Sequence, residues 1–187
     1  KIKQIEAEIK RKEEEERKKA EAARKAEEEA RKKAEAAGKK VSATDKAASH
    51  NVASLGNISF KWPCPSSGRI SSGFGIRTSP TKGASNNHQG IDIPASTGAA
   101  ITAAASGTVV ISTYSYSAGN YIMISHGGGV YTVYMHCSQI LASEGQTVKQ
   151  GQTIAKVGST GYSTGSHLHF GIRSGGRYVN PQSYVSP

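Results

Sequence analysis

The stretch His167-Leu168-His169-Phe170-Gly171-Ile172 decides how this chain is read. Side chains i and i+2 of a β-strand stand on one face. His167 and His169 therefore fall side by side, while Leu168 and Phe170 turn into a core. Two imidazoles on one strand face are what a metal site with an adjacent proton-transfer group needs. Two structural histidines satisfied by hydrogen bonds are the alternative that these residues alone leave open.

The sequence around this stretch has the grammar of a β domain. From Phe60 onward, short runs of apolar and β-branched residues alternate with Gly- and Ser-rich turns. Strands are expected at 91–93, 100–105, 108–113, 121–125, 130–136, 153–157, 167–172 and 177–179. Gly127-Gly128-Gly129 between two of them is a hairpin signal. No helical period appears after residue 60, so the body is expected to be mainly β and antiparallel, a small sheet or sandwich.

Residues 1–40 differ sharply in composition. They hold 15 of the 24 Lys and Arg and 11 of the 14 Asp and Glu, and their only β-branched residues are Ile2, Ile5 and Ile9. Ala, Glu, Lys and Arg favour helix. Glu repeatedly precedes a base by four residues, as in Glu6–Lys10, Glu14–Lys18 and Glu27–Arg31, each pair adding a few tenths of a kcal/mol. A long charged helix is expected over 1–37, ended by Gly38. A heptad seam through Ile2, Ile5, Ile9, Ala23, Ala26, Ala30 and Ala37 is interrupted by Lys12, Glu16 and Lys19, and it strengthens toward the N-terminal side. It reads as the end of a coiled coil, a spacer or docking arm for a protein partner or a second copy. A solvated helix held by its own ion pairs is the other reading. Residues 38–59, rich in Ser, Ala, Asn and Lys, read as a linker, with His50 a bystander in it. Residues 60–187 form the third segment, the β domain.

The chain opens on Lys1 without a signal peptide and reads as a fragment or a processed form. No apolar run approaches the roughly 20 residues of a membrane-spanning helix. Residues 41–187 carry 9 bases against 3 acids. Such a body suits a polyanionic partner. Its bases are scattered singly rather than clustered with aromatics, and no nucleic-acid partner is expected. Cys64 and Cys137 match no zinc-finger spacing. They are either a disulfide, worth about 4 kcal/mol in the chain-entropy model, or two buried thiols.

The β segment contains a single aspartate, in Ile91-Asp92-Ile93. Alternation buries the two isoleucines and turns the carboxylate to the other face. His88 lies four residues upstream. Two histidines and one carboxylate are a known ligand set of catalytic zinc, which leaves a fourth position for water. His88, His136, His167, His169 and Asp92 exceed the three groups that such a site requires. The surplus is what hydrolysis uses, as a proton acceptor and as a donor to a developing oxyanion. His126, next to the glycine turn, reads as a turn residue. In the strand ending at His136, Tyr134 and His136 are expected on one face, with Cys137 turned away.

Residues 60–187 resemble the lysostaphin-type zinc endopeptidases, which cut peptidoglycan peptides. The matching stretches are His88-Gln89-Gly90-Ile91-Asp92-Ile93, Tyr134-Met135-His136, the run from Gly158 to Phe170, and Val179-Asn180-Pro181. The resemblance implies one Zn2+ held by His88, Asp92 and His169, with His136 and His167 as the catalytic histidines. It also implies a groove on one sheet, peptidoglycan as the substrate and partner, and an extracellular or cell-wall location for a secreted protein. Arg77 and Tyr134 are candidate substrate-binding residues, Arg77 for a substrate carboxylate or else in a structural ion pair. Two positions depart from the family pattern: Gly171 stands where Glu is frequent, and Cys137 where Leu is usual.

The implied chemistry is hydrolysis by a metal-bound water of pKa near about 7, with the glycines and serines of 158–166 letting a peptide backbone approach closely. A catalytically silent, partner-activated scaffold acting through the coiled coil is the alternative, opposed by the presence of all five residues. A cysteine peptidase would need Cys64 or Cys137 as nucleophile, and Cys64 lies between Pro63 and Pro65 with no following helix to activate it. A β module that merely binds sugar or peptide is the third alternative.

Overall fold

The computed structural model describes residues 55–81 and 84–187. The expected helix over 1–37, most of the linker and His50 lie outside the described residues. Twelve strands run through the described part: Gly75–Ile76 (β1), Asn87–His88 (β2), Ile91–Pro94 (β3), Ala100–Thr102 (β4), Gly107–Ser115 (β5), Gly119–Ser125 (β6), Val130–Cys137 (β7), Gln139–Ile140 (β8), Thr147–Val148 (β9), Thr153–Lys156 (β10), His167–Ser174 (β11) and Arg177–Val179 (β12). Each of the eight expected strands is present. Those missed, β1, β2, β8 and β9, are two residues long and too short to show an alternating pattern. The only helices among the described residues are the 3-10 turns Leu55–Asn57 and Pro181–Ser183.

A seven-stranded sheet runs β12-β11-β7-β6-β5-β9, with β3 paired to β11. A three-stranded sheet, β4-β10-β8, and the pair β1-β2 complete the architecture. Every pairing is antiparallel. Strand β11 organises the molecule. Residues 167–170 pair with β3 and 172–174 with β12, while β7 runs along 169–174. The glycine hairpin joins β6 to β7, and Gly127, Gly128 and Gly129 all have positive φ, which only glycine adopts without strain.

Ile91 and Ile93 of β3, Ile122 and Ile124 of β6, and Leu168, Phe170 and Ile172 of β11 pack with Ile101 and Ile154 of the smaller sheet in one core. All are fully buried, and each such side chain contributes about 2 kcal/mol. Leu55 packs against this core, so the β body takes in residues placed by sequence in the linker. Cys64 and Cys137 are free and buried. That is the second of the two cysteine readings. Burial pushes the Cys137 thiol up to about 12, and Cys64 has no exposed surface, so neither serves as a nucleophile.

Tyr134 is a correction. It is not a substrate-binding residue at the groove but a fully buried core side chain. Its ring packs beside Phe170 at 5.4 Å between centroids. Its hydroxyl accepts from the Ala104 amide at 2.8 Å and donates to Thr132 Oγ1 at 2.9 Å. The chain of donors continues to His126. Nδ1–H of His126 donates to the Ser106 carbonyl at 2.8 Å, so Nε2 must accept the Thr132 hydroxyl, also at 2.8 Å. His126 is therefore a structural histidine whose neutral tautomer is fixed by its partners.

Burial lowers the His126 pKa below its ordinary value of 6.5, against the opposing bond to Ser106. The unfolded chain therefore takes up this proton first. Stability from His126 is complete above pH 6.5 and is lost as pH falls toward the depressed folded value. The expected result is that the stability difference between wild type and His126→Gln narrows from pH 7 to pH 5. Urea unfolding at several pH values measures it, and parallel pH profiles would refute the assignment.

Candidate metal centre

The register of β3 on β11 builds the centre. His169 lies opposite Asp92, and Phe170 opposite Ile91. Directly opposed residues share a face, so the carboxylate and the imidazole meet on one side while the apolar pair enters the core. His88 arrives from β2, whose partner strand β1 pairs Gly75 with His88. Gly90 permits this crossing. A Cβ there would lie 2.7 Å from His169 Nε2 and 2.4 Å from the Phe170 carbonyl oxygen. The glycine of His88-Gln89-Gly90 is thus needed for close approach, a role that sequence reasoning did not assign.

Asp92 Oδ1 lies 3.0 Å from both His88 Nε2 and His169 Nδ1, and the two ring nitrogens are 2.9 Å apart. His88 Nδ1 donates its proton to the Gly73 carbonyl at 2.6 Å, so Nε2 presents a lone pair to the cluster. All three groups are buried. Two imidazoles and a carboxylate that converge in this way could hold a metal ion between them. The donor set of two imidazoles and one carboxylate fits zinc. Burial raises the Asp92 pKa, but the side chains of His169, His88 and Arg77 around it outweigh burial and hold the carboxyl well below the usual carboxylate range. Burial also lowers the pKa of His169, which favours the neutral ring that a metal ligand must be.

His136 reaches the centre through a break in β7. Between the pairs Tyr134–Ile122 and Cys137–Asn120, β7 has two residues where β6 has one. His136, at the extra position, has φ of +64°, the only positive value among the described non-glycine residues. Bulges re-aim side chains in this way. Tyr134 and His136 therefore do not share a face as expected: Tyr134 stays in the core with Phe170, and His136 is returned to the site. Cys137 turns away into the core, as expected.

His136 and His167 are held alike. Nδ1–H of His136 donates to the Thr160 carbonyl at 2.8 Å, and that of His167 to the Gly165 carbonyl at 2.8 Å. Each ring is left with Nε2 to exchange a proton, and His167 Nε2 lies 3.6 Å from Asp92 Oδ1. The two ring centroids are 4.8 Å apart. Burial, joined by the neighbouring His167 and His169 rings, lowers the His136 pKa to about 4 against the bond to Thr160.

Two pockets, of about 270 and 470 Å3, flank the cluster and share Arg77, His136 and Tyr162. The smaller one is partly apolar, with Met135, Ala84 and Ala118 on its walls. The larger is rich in hydroxyls from Ser71, Ser72, Ser163, Thr164 and Ser166. Tyr162 was missed by sequence reasoning, since a tyrosine in a Gly- and Ser-rich loop has no periodicity to place it. Its amide donates to the Ser117 carbonyl at 2.9 Å, and its ring stands edge-on to Tyr116 at 5.2 Å. Arg77 forms an ion pair with Asp92 at 2.7 Å, the second of the two roles weighed for it.

A buried His-Asp-His cluster, with two further histidines in a groove on a mainly β scaffold, is a metallopeptidase centre in its chemistry. Residues 86–181, more than half of the chain, match Peptidase family M23, and the chain belongs to that family. It is similar to a peptidoglycan DD-endopeptidase, ShyC, of Vibrio cholerae, 40% identical over 64% of this chain and 28% of that protein. Among solved structures it is similar to a zinc-containing peptidase from Vibrio cholerae, 37% identical with a TM-score of 0.61, over 65% of this chain and 39% of that one. The catalytic domain of lysostaphin from Staphylococcus simulans is 32% identical with a TM-score of 0.57, over 62% of this chain and 90% of that domain. The match spans between 27% and 36% of the length of the curated relatives.

Proposed function

We propose that this chain is a zinc-dependent endopeptidase that hydrolyses peptide bonds of peptidoglycan, in stem peptides or cross-bridges. The observation that carries the proposal is the convergence of His88 Nε2, Asp92 Oδ1 and His169 Nδ1 in a buried cluster beside an open groove. These three atoms would hold one zinc ion. When bound, the ion supplies Lewis acidity and a water ionising near neutral pH.

The protein's own groups do the rest. Because Nδ1 of His136 and of His167 is committed to a backbone carbonyl, each acts through Nε2, one receiving the proton of the attacking water and the other donating to the oxyanion. The hydroxyl-rich loop at 163–166 and the partly apolar wall at Met135 would grip the peptide on the two sides of the bond cut. The substrate places the enzyme outside the cytoplasmic membrane. Residues 1–37 would serve as an arm toward a partner protein or a second copy.

Purified muropeptides of known structure, including a cross-linked dimer, test the reading when incubated with zinc-loaded protein. The expected products weigh one water more than the substrate in total and break at a peptide bond. Intact muropeptides, or cleavage of the glycan instead, would overturn it. Sedimentation of the same preparation over a concentration series tests the arm, since a monomer throughout excludes a second copy as its partner.

A further inference from the structure

We propose that Arg77 is a positioning residue for the metal, which it serves by fixing which oxygen of Asp92 the metal meets. The inference rests on the reading of the His-Asp-His cluster as a zinc centre. The two carboxylate oxygens of Asp92 have separate surroundings. Oδ1 faces His88 and His169, each at 3.0 Å. Oδ2 is held by Arg77 Nη1 at 2.7 Å, and the same nitrogen reaches Ser72 Oγ at 2.5 Å. Among the described residues this is the one ion pair between an arginine or lysine and a carboxylate.

The backbone around the pair is fixed on every side. Ser72 and Asp92 form an antiparallel bridge, in which the Asp92 amide donates to the Ser72 carbonyl and the Ser71 amide to the Asp92 carbonyl, both at 2.9 Å. The Arg77 amide donates to the Asn86 carbonyl at 2.7 Å, continuing the β1–β2 pairing that carries His88. One hairpin thus delivers a ring to the cluster from β2 and a guanidinium to the carboxylate from the end of β1. Arg77 joins the hairpin's ligand to the ligand on β3.

The guanidinium is not placed for its own satisfaction. Its Nε is buried without a hydrogen-bond partner, and the side chain is only 22% exposed. Nη1 sits between Ser72 and Asp92 while that donor goes unused. Arg77 borders both pockets, but the Nη1 that a substrate carboxylate would need is committed to Asp92 and Ser72. Partners that orient a metal-binding carboxylate typically affect metal affinity 10- to 100-fold.

The test is the zinc affinity of whole protein, measured by competition with a chromophoric chelator, together with KM and kcat on a muropeptide at saturating zinc. Arg77→Met is expected to weaken zinc binding at least tenfold, and Arg77→Lys to recover part of the loss, with KM within twofold of wild type in both. Ser72→Ala, which leaves the charge in place, is expected to lose a few-fold and is read together with Arg77→Lys should Arg77→Met fail to fold. Affinity within threefold of wild type in Arg77→Met, or equal to wild type in both Arg77→Lys and Ser72→Ala if those alone fold, overturns the proposal. A raised KM with unchanged zinc affinity assigns Arg77 to the substrate instead. Wild-type protein that binds no zinc refutes the metal centre itself, an outcome distinct from a zinc-binding wild type whose variants bind equally well.

Discussion

Asp92→Asn leaves the chain folded, strips it of zinc and lowers kcat/KM at least about 10³-fold, the scale expected when a metal's stabilisation of a developing oxyanion is withdrawn. The expectation follows from charge. Among the described residues, Asp92 provides the only carboxylate within reach of His88, His167, His169 and Arg77. Without it, two neutral imidazoles are the only ligands left, and the Arg77 guanidinium, no longer neutralised, repels a divalent cation. Asn is the informative replacement because its side-chain oxygen can still accept from Arg77. Asp92→Ala would leave that partly buried cation unpaired and confuse lost metal with lost stability. Elemental analysis of purified Asp92→Asn should find no stoichiometric zinc, and its thermal midpoint should match that of wild type stripped by chelator. One zinc per chain and near wild-type digestion of muropeptides would remove the basis of the functional proposal.

Changes at His136 and His167 separate binding the metal from using it. His136→Asn and His167→Ala are each expected to retain one zinc per chain while kcat falls about 10²- to 10⁴-fold, the range for loss of a positioned proton-transfer group. Asn is chosen at 136 because the backbone there has φ of +64°, which Asn tolerates better than most residues. If the two rings act in one proton relay, the double variant should be little slower than the slower single variant. Metal-loaded variants within threefold of wild type would show that neither ring moves a proton in the rate-limiting step. A loss of zinc in either would make that histidine a ligand.

The site was more legible than the scaffold that aims it. His88, Asp92, His167 and His169 could be read from spacing because two of them lie on one strand and another is flanked by isoleucines that declare its face. Arg77 was singled out, but its two roles were separated only by the distance to Asp92. Tyr134 was misplaced because alternation was carried through to His136, and nothing local marks the extra residue in β7. Gly90 carries no local sign of its role, since its reason is the His169 ring 79 residues away in sequence.

Taken alone, the sequence determined the β character of the body, its antiparallel grammar and the identity of the groups that converge, because each rests on a period-2 pattern or on chemical type. The tertiary structure decided which face His136 serves, which oxygen of Asp92 meets the rings and what Arg77 holds. Those are matters of register between strands distant in the chain, and a pattern local to one strand carries no information about the strand lying beside it.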